Sequence, residues 1–286
     1  MNKILVASYL LAHLLLTNIF AGEGGSPEFT GLKLIENSAD SLFRNAKYYD
    51  AVTEYKRLLF FDPDKKNHVK YLVNIGDSYS FGKFYHKSLA YYNKALDLQI
   101  ETSIETDISY RIYAVLLKIG DFTAAENLIA DLEKKTVYGP AMDSLYYWRG
   151  WGNIYQYKWF EAAKEFNKIS PGHELSRYCR GVNESLLSVE LVKIMSFIIP
   201  GSGQIYSGNY FSGIASFGWT ALWGYNMIDA FAENRIFDGL VIGDLLFLRF
   251  YRGNIQNAGR FAEEKNLNIS ENALLYLLSN YEGIKP

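Results

Sequence analysis

Asp244 is the residue best placed to do chemistry, because it sits inside the apolar run 239–250. A carboxylate there costs about 2.5–3.5 kcal/mol on insertion scales, so it is commonly kept for a task such as moving an ion or proton. Arg249 follows five residues later, about 140° round a helix, and is not its natural partner. Gln204 and Tyr206 are the expected partners across a helical hairpin; the bland alternative is a carboxylate at an interface or in a helical layer. Pro200, Gly201, Ser202 and Gly203 could suggest a phosphate cradle, but no Gly-Lys-Ser/Thr ending follows. The segment through Gly208 reads instead as a tight turn, with Gln204, Tyr206 and Asn209 bonding to the backbone groups it frees. His68, His86 and His173 lie far apart without ligand spacing, and Cys179 is the single cysteine. No metal site, cofactor or disulfide framework is expected from these. With no nucleophile motif or carboxylate pair on a defined element, the chain reads as a non-enzyme.

The elements that position these residues are set by a period of 37. Ala51, Ser88, Ala125 and Ala162 follow one another at that spacing. Three positions before each stands an aromatic (Tyr48, Tyr85, Phe122, Trp159), and four after each a bulky apolar residue (Tyr55, Tyr92, Ile129, Phe166). A period of this length means stacked copies of one supersecondary unit, each unable to bury its apolar face alone. Copies start near Leu32, Val69, Thr106 and Asp143, and each is expected to form a helix, a short turn and a second helix. Turns are expected at Asn45 to Lys47, Gly82 and Lys83, Gly120 and Asp121, and Gln156 to Lys158. Small residues in the first helices, Ala39, Gly76 and Gly150, permit close helix approach, with Tyr113 departing from the pattern. Pro63 and Pro171 stop second helices. A fifth copy would fall at Ile199, within a different kind of sequence. Residues 175–188 are therefore expected to form a capping helix.

The flanks have another character. Residues 1–21 read as an export signal, with Lys3 ahead of an apolar run and a small residue at Ala21; residues 22–31 read as a linker. A net charge of −2 gives no global basic field, so nucleic acid is not an expected partner. Residues 210–228 carry no charge, about the length of a bilayer crossing. Ser212, Ser216, Thr220 and Gly224 form a narrow small face, and Gly239 and Gly243 a G-x-x-x-G, as in helices packed in lipid. Two crossings would put Glu233 to Arg235 in the cytoplasm. Arg249 and Arg252 at the outer end oppose the positive-inside rule, which leaves a hairpin that dips without crossing as the other reading.

The repeats, best seen in Gly76, Tyr79, Tyr85, Ser88, Tyr92 and Ala95, and again in Gly120, Phe122 and Ala125, resemble the tetratricopeptide repeat, with about three extra residues per copy. The resemblance covers residues 32–174. It implies an all-α fold, an α-solenoid of about four helix-turn-helix repeats, with a protein-binding groove lined by first-helix residues: Asp40, Phe43, Asp77, Phe81, Tyr110, Trp151 and Tyr155. Aromatics offer anchors at low entropy cost, and Asp40 and Asp77 could meet a basic ligand; packing between helices is the alternative role for each. Pro200, Gly201, Gly203, Gln204, Tyr206 and Gly208 resemble the signature of small two-helix membrane modules related to the TM2 domain. That resemblance spans residues 189–266 and implies a C-terminal membrane hairpin, leaving 267–286 as a C-terminal helix or tail. The expected function is an exported, membrane-tethered scaffold for protein or peptide partners in the bacterial cell envelope, periplasm-facing and inner-membrane anchored. The rivals are a soluble periplasmic binding module with its C-terminal third packed on the repeats, and an envelope transport component with a polar path near Asp244.

Overall fold

A left-handed residue recurs at the same place in every copy of the period and turns each copy into a pair of helices. Ala46, Lys83, Gly120 and Tyr157 stand 37 residues apart and have φ of 58°, 64°, 77° and 58°. Behind each, the next backbone N–H reaches five residues back: Lys47 to Leu42 O (2.9 Å), Phe84 to Tyr79 O (2.8 Å), Asp121 to Leu116 O (3.0 Å) and Lys158 to Asn153 O (2.9 Å). This is the Schellman arrangement, which satisfies carbonyls a helix end leaves open. Glycine fills the position only at Gly120; the other three residues carry about 1–2 kcal/mol of left-handed strain.

The computed structural model describes residues 27–62, 65–98, 100–136 and 140–286. The export signal, residues 22–26 of the linker and Pro63 lie outside them. Among the described residues all regular structure is helical. The pairs are α1 (Pro27–Arg44) with α2 (Tyr48–Phe61), α3 (His68–Phe81) with α4 (Tyr85–Leu96), α5 (Thr102–Ile119) with α6 (Phe122–Lys135), and α7 (Pro140–Tyr155) with α8 (Trp159–Ile169). Every second helix starts on the recurring aromatic, Tyr48, Tyr85, Phe122 or Trp159. The first helix starts at Pro27, so residues 27–31 are helical and not linker. Each helix packs on the next along the chain. The chain divides into two units: the first runs to Ser176 and takes in Asn280–Pro286, and the second is Arg177–Ser279.

In the first unit the small residues at Ala51, Ser88, Ala125 and Ala162 and the bulky ones at Tyr55, Tyr92, Ile129 and Phe166 are all buried. The bulky rings lie on the small residues of the first helices. A methyl group on Gly76 would collide with the Tyr92 ring, and one on Gly150 would come within 2.5 Å of Phe166. Tyr113 breaks the pattern because its hydroxyl points across to Gly152, where a side chain would overlap it.

In the second unit, α9 (Glu174–Ser185, entering from the first unit) is followed by α10 (Val189–Ile198), α11 (Ser202–Tyr206) and α12 (Tyr210–Ala232). Then come α13 (Ile236–Val241), a π-helical segment (Ile242–Phe247) and α14 (Leu248–Asn280). α14 runs unbroken through the boundary expected at 266. The turn before α11 brings backbone onto backbone: Gly201 has φ of 88°, and a side chain on it would overlap the Gly213 carbonyl. The small face of α12 packs inward, with Gly224 against the Phe247 ring, while Gly239 meets Phe231 and Gly243 meets Met227. α12 has 23 residues, but its Gly, Ser, Thr and Asn226 dilute its apolarity. No helix among the described residues is long and apolar enough to cross a membrane, which removes residues 210–228 as a crossing helix.

Gly76→Ala is expected to cost about 1–3 kcal/mol, the range for overpacking a tight site. Urea unfolding checks this, and unchanged stability would show that the Tyr92 ring has room to move.

Candidate functional site

The residues expected to line a groove are mostly occupied with one another. Tyr55 donates its hydroxyl to Asp40 Oδ1 (2.6 Å), and Tyr92, 37 residues on, donates to Asp77 Oδ1 (2.6 Å). Asp77 is only 3% exposed. It also takes the Arg111 guanidinium from the next pair, through Nη1 at 2.8 and 2.7 Å to its two oxygens. Asp77 is thus tied into the fold by Tyr92 and Arg111. Phe43 and Phe81 meet edge to face at 5.5 Å, and Phe81 stacks on Tyr48 at 5.7 Å. Burial pushes the Tyr155 phenol up to about 12. Beside the start of α2, an open cleft of about 330 Å³ is lined by Tyr48, Tyr79, Gly82 and Phe84 among others. Lys47, Asp50 and Ser78 also lie on its wall.

The fourth pair differs. At the position that Asp40 and Asp77 occupy in the first two pairs stands Trp151, and opposite it Phe166, which has no hydroxyl to satisfy. Trp151 is fully buried. The Tyr281 ring lies 6.0 Å from it. The Tyr147 hydroxyl donates to the Ile284 carbonyl (2.5 Å) and sits 3.4 Å from the Tyr281 hydroxyl. Desolvation raises the Tyr147 phenol pKa above its ordinary range. Trp148 stacks on Tyr110 at 5.6 Å and 15°. Two of the expected residues, Tyr110 and Trp151, therefore belong to an aromatic cluster on α5 and α7, and its α7 members Tyr147 and Trp151 meet the chain's own residues 281–284. Tyr147, Trp148 and Tyr281 were not singled out from sequence. A signal existed for the first, since Tyr147 stands 37 residues after Tyr110.

The second unit's signature residues form a buried polar knot. Ser196 Oγ donates to Gln204 Oε1 (2.9 Å), and Gln204 Nε2 donates to Asn254 Oδ1 (2.9 Å), Asn254 O (3.1 Å) and Ser216 Oγ (3.1 Å). Asn254 also accepts from Gly201 N–H (2.8 Å) and donates to Ser196 O (2.8 Å), a role not read from sequence. Asp244 is not part of this. It is exposed in the π-helical segment and makes no hydrogen bond or ion pair among the described residues, so it does not face Gln204 or Tyr206. Tyr206 is half exposed; Gly208, at φ of 93°, ends α11; Pro200 and Gly203 hold the turn. Arg249 is exposed as well. At the hairpin tip one arginine gathers three carboxylates: Arg235 meets Glu233 (2.8 Å), Asp229 (3.2 Å) and Asp238 (3.4 Å).

Among the described residues no His, Cys, Asp or Glu cluster could hold a metal ion. His173 lies stacked on Phe166 at 5.5 Å, and burial lowers its pKa. No protein-family model, curated protein or solved structure matches the chain.

Asp77→Ala is expected to destabilise the fold by about 3 kcal/mol, because it removes the Asp77 acceptor from the buried Tyr92 hydroxyl and leaves Arg111 with the exposed Asp107 carboxylate (2.8 Å); denaturant unfolding measures it. Burial pushes the Cys179 thiol from 9.0 up to about 12. The folded state holds that proton more tightly, so this thiol's contribution to stability should be constant below about pH 8 and be lost from pH 9 to 12 as the unfolded chain ionises. A thiol reagent at pH 8 should modify Cys179 only on unfolding.

Proposed function

We propose that this chain is an exported scaffold of the bacterial cell envelope. Its helix pairs form a tetratricopeptide-like solenoid that binds protein segments, and its second unit holds it to the membrane. The observation that carries the membrane part is a run of exposed large apolar side chains from Leu191 to Leu245. It includes Phe211 (88% exposed), Phe237 (77%), Ile198 (70%), Tyr225 (69%) and Ile214 (67%). Soluble monomers seldom expose contiguous apolar surface of this extent, and where they do it marks a lipid or protein contact.

Lipid is the favoured partner because the hairpin is built inside out. Its small and polar residues face inward, around Gly224, Ser216 and Gln204, and its rings and branched aliphatics face outward. Water-soluble helices sort the other way. With no helix fit to cross, the hairpin lies in the headgroup boundary with its apolar side down. Arg249 and Arg252 then reach headgroups from the end of that surface, their stems covering apolar area. Support for the binding part is the aromatic surface of α5 and α7, since rigid rings are the residues that most often anchor partners.

Density flotation with phosphatidylethanolamine–phosphatidylglycerol vesicles tests the membrane part. The full chain should float, and Phe211→Glu combined with Ile214→Glu should lower partitioning at least tenfold, since each lost side chain is worth about 1.5–3 kcal/mol of burial. A chain that stays with the soluble fraction as a monomer would sink the reading.

A further inference from the structure

α14 ends at Asn280, and the residues after it adopt no regular structure yet belong to the first unit. Two of the contacts that hold them involve α7. Tyr281 packs its ring by Trp151 and brings its hydroxyl to Tyr147, and Tyr147 binds the main-chain carbonyl of Ile284. Glu282 is exposed, and the Ile284 side chain is 59% exposed. The contact therefore reads one aromatic side chain and one backbone carbonyl three positions on, and it ignores the side chain at the second point. Desolvation also lowers the Lys285 amine pKa, as for a segment lying against protein.

A short stretch with no helical or strand hydrogen-bond ladder is of the kind that opens locally. Trp151 is nonetheless fully buried with the tail in place, and an uncovered indole would favour another occupant. We propose that residues 281–286 are a displaceable ligand held in cis. The surface they cover receives an extended protein segment that offers a tyrosine and, three residues later, a free main-chain carbonyl. This rests on the scaffold reading above and names the chemistry of its partner. A tether gives the tail an effective concentration of about a millimolar. If the free segment binds at about 100 μM, the tail weakens an incoming partner about tenfold.

The test uses the full chain and a fluorescein-labelled hexapeptide, Tyr-Glu-Gly-Ile-Lys-Pro, followed by anisotropy. Tyr281→Ala removes the anchor of the tail and lies beyond the last helix, and circular dichroism checks that it stays folded. It should bind the peptide at least tenfold more tightly than the wild-type chain. Adding Tyr147→Phe should weaken that binding several-fold. A peptide with its tyrosine changed to alanine should not bind, and one with its isoleucine changed to serine should bind within twofold. Absence of binding to folded Tyr281→Ala, or equal binding to both chains, would overturn the proposal and leave the tail a fixed end. So would a wild-type dimer that Tyr281→Ala dissolves, because the tail would then be exchanged between copies. The scaffold reading fails on a separate observation: in vivo crosslinking from positions on α1 to α4 that captures no specific neighbour, whatever the tail does.

Discussion

A ring pressed onto a bare stretch of backbone is the contact on which the second and fourth helix pairs depend. Tyr92 covers Gly76 and Phe166 covers Gly150, each so closely that a single methyl group would not fit. Placing a tyrosine ring there buries its hydroxyl, and a buried donor needs a partner. Asp77 supplies it, as Asp40 does for Tyr55. Burying a carboxylate creates the next requirement, a counter-charge, and Arg111 of the following pair meets it. One steric choice thus propagates through a hydrogen bond to an ion pair that ties one pair to the next. Where the ring is phenylalanine, as in the fourth pair, the sequence of demands never starts. Position 151 is then free to carry an indole in place of a carboxylate, and the surface there turns apolar.

The second unit obeys a related constraint with a different outcome. Gly201, Gly203 and Gly213 let backbones touch. The polar groups exposed by that contact are satisfied by Gln204, Asn254 and Ser196 among themselves. This network is internal to the fold, with Ser202 Oγ beside it buried without a partner. Large apolar residues fill the outer surface. The inversion follows from where the polar groups had to go.

Much of this was legible from the sequence, and the reasons for the failures are specific. The period located the helix pairs and the turns inside them, because the recurring aromatic and the small residue three on serve the same packing in each copy. It also marked the end of the array near residue 174 (α8 ends at Ile169). The role of Asp77 was not legible, because its counter-ion sits 34 residues away, off the period, and a first-helix carboxylate looks the same whether free or paired. Asn254 was invisible for a similar reason: it lies 53 residues from the backbone N–H it satisfies. Asp244 misled because an apolar run was read as a uniform α-helix. The run is π-helical there and the carboxylate is exposed, neither of which hydropathy encodes. The seating of Tyr281 joins residues 134 apart, beyond any local pattern.

The same kind of ring does two different jobs, and what separates them is the backbone that carries it. Tyr55, Tyr92 and Phe166 sit in the middle of helices whose neighbours are already fixed, so adding the ring contact orders almost nothing further. Tyr281 is carried by a stretch with no hydrogen-bonded ladder. Seating it must offset the ordering of several residues, each costing about 1–2 kcal/mol of backbone entropy. One buried ring and one hydrogen bond to a carbonyl return only a few kcal/mol against that. Covalent tethering tips such a balance toward closure, since the tail need not be recruited from solution. A contact balanced in this way holds firmly enough to cover Trp151 and loosely enough to yield it.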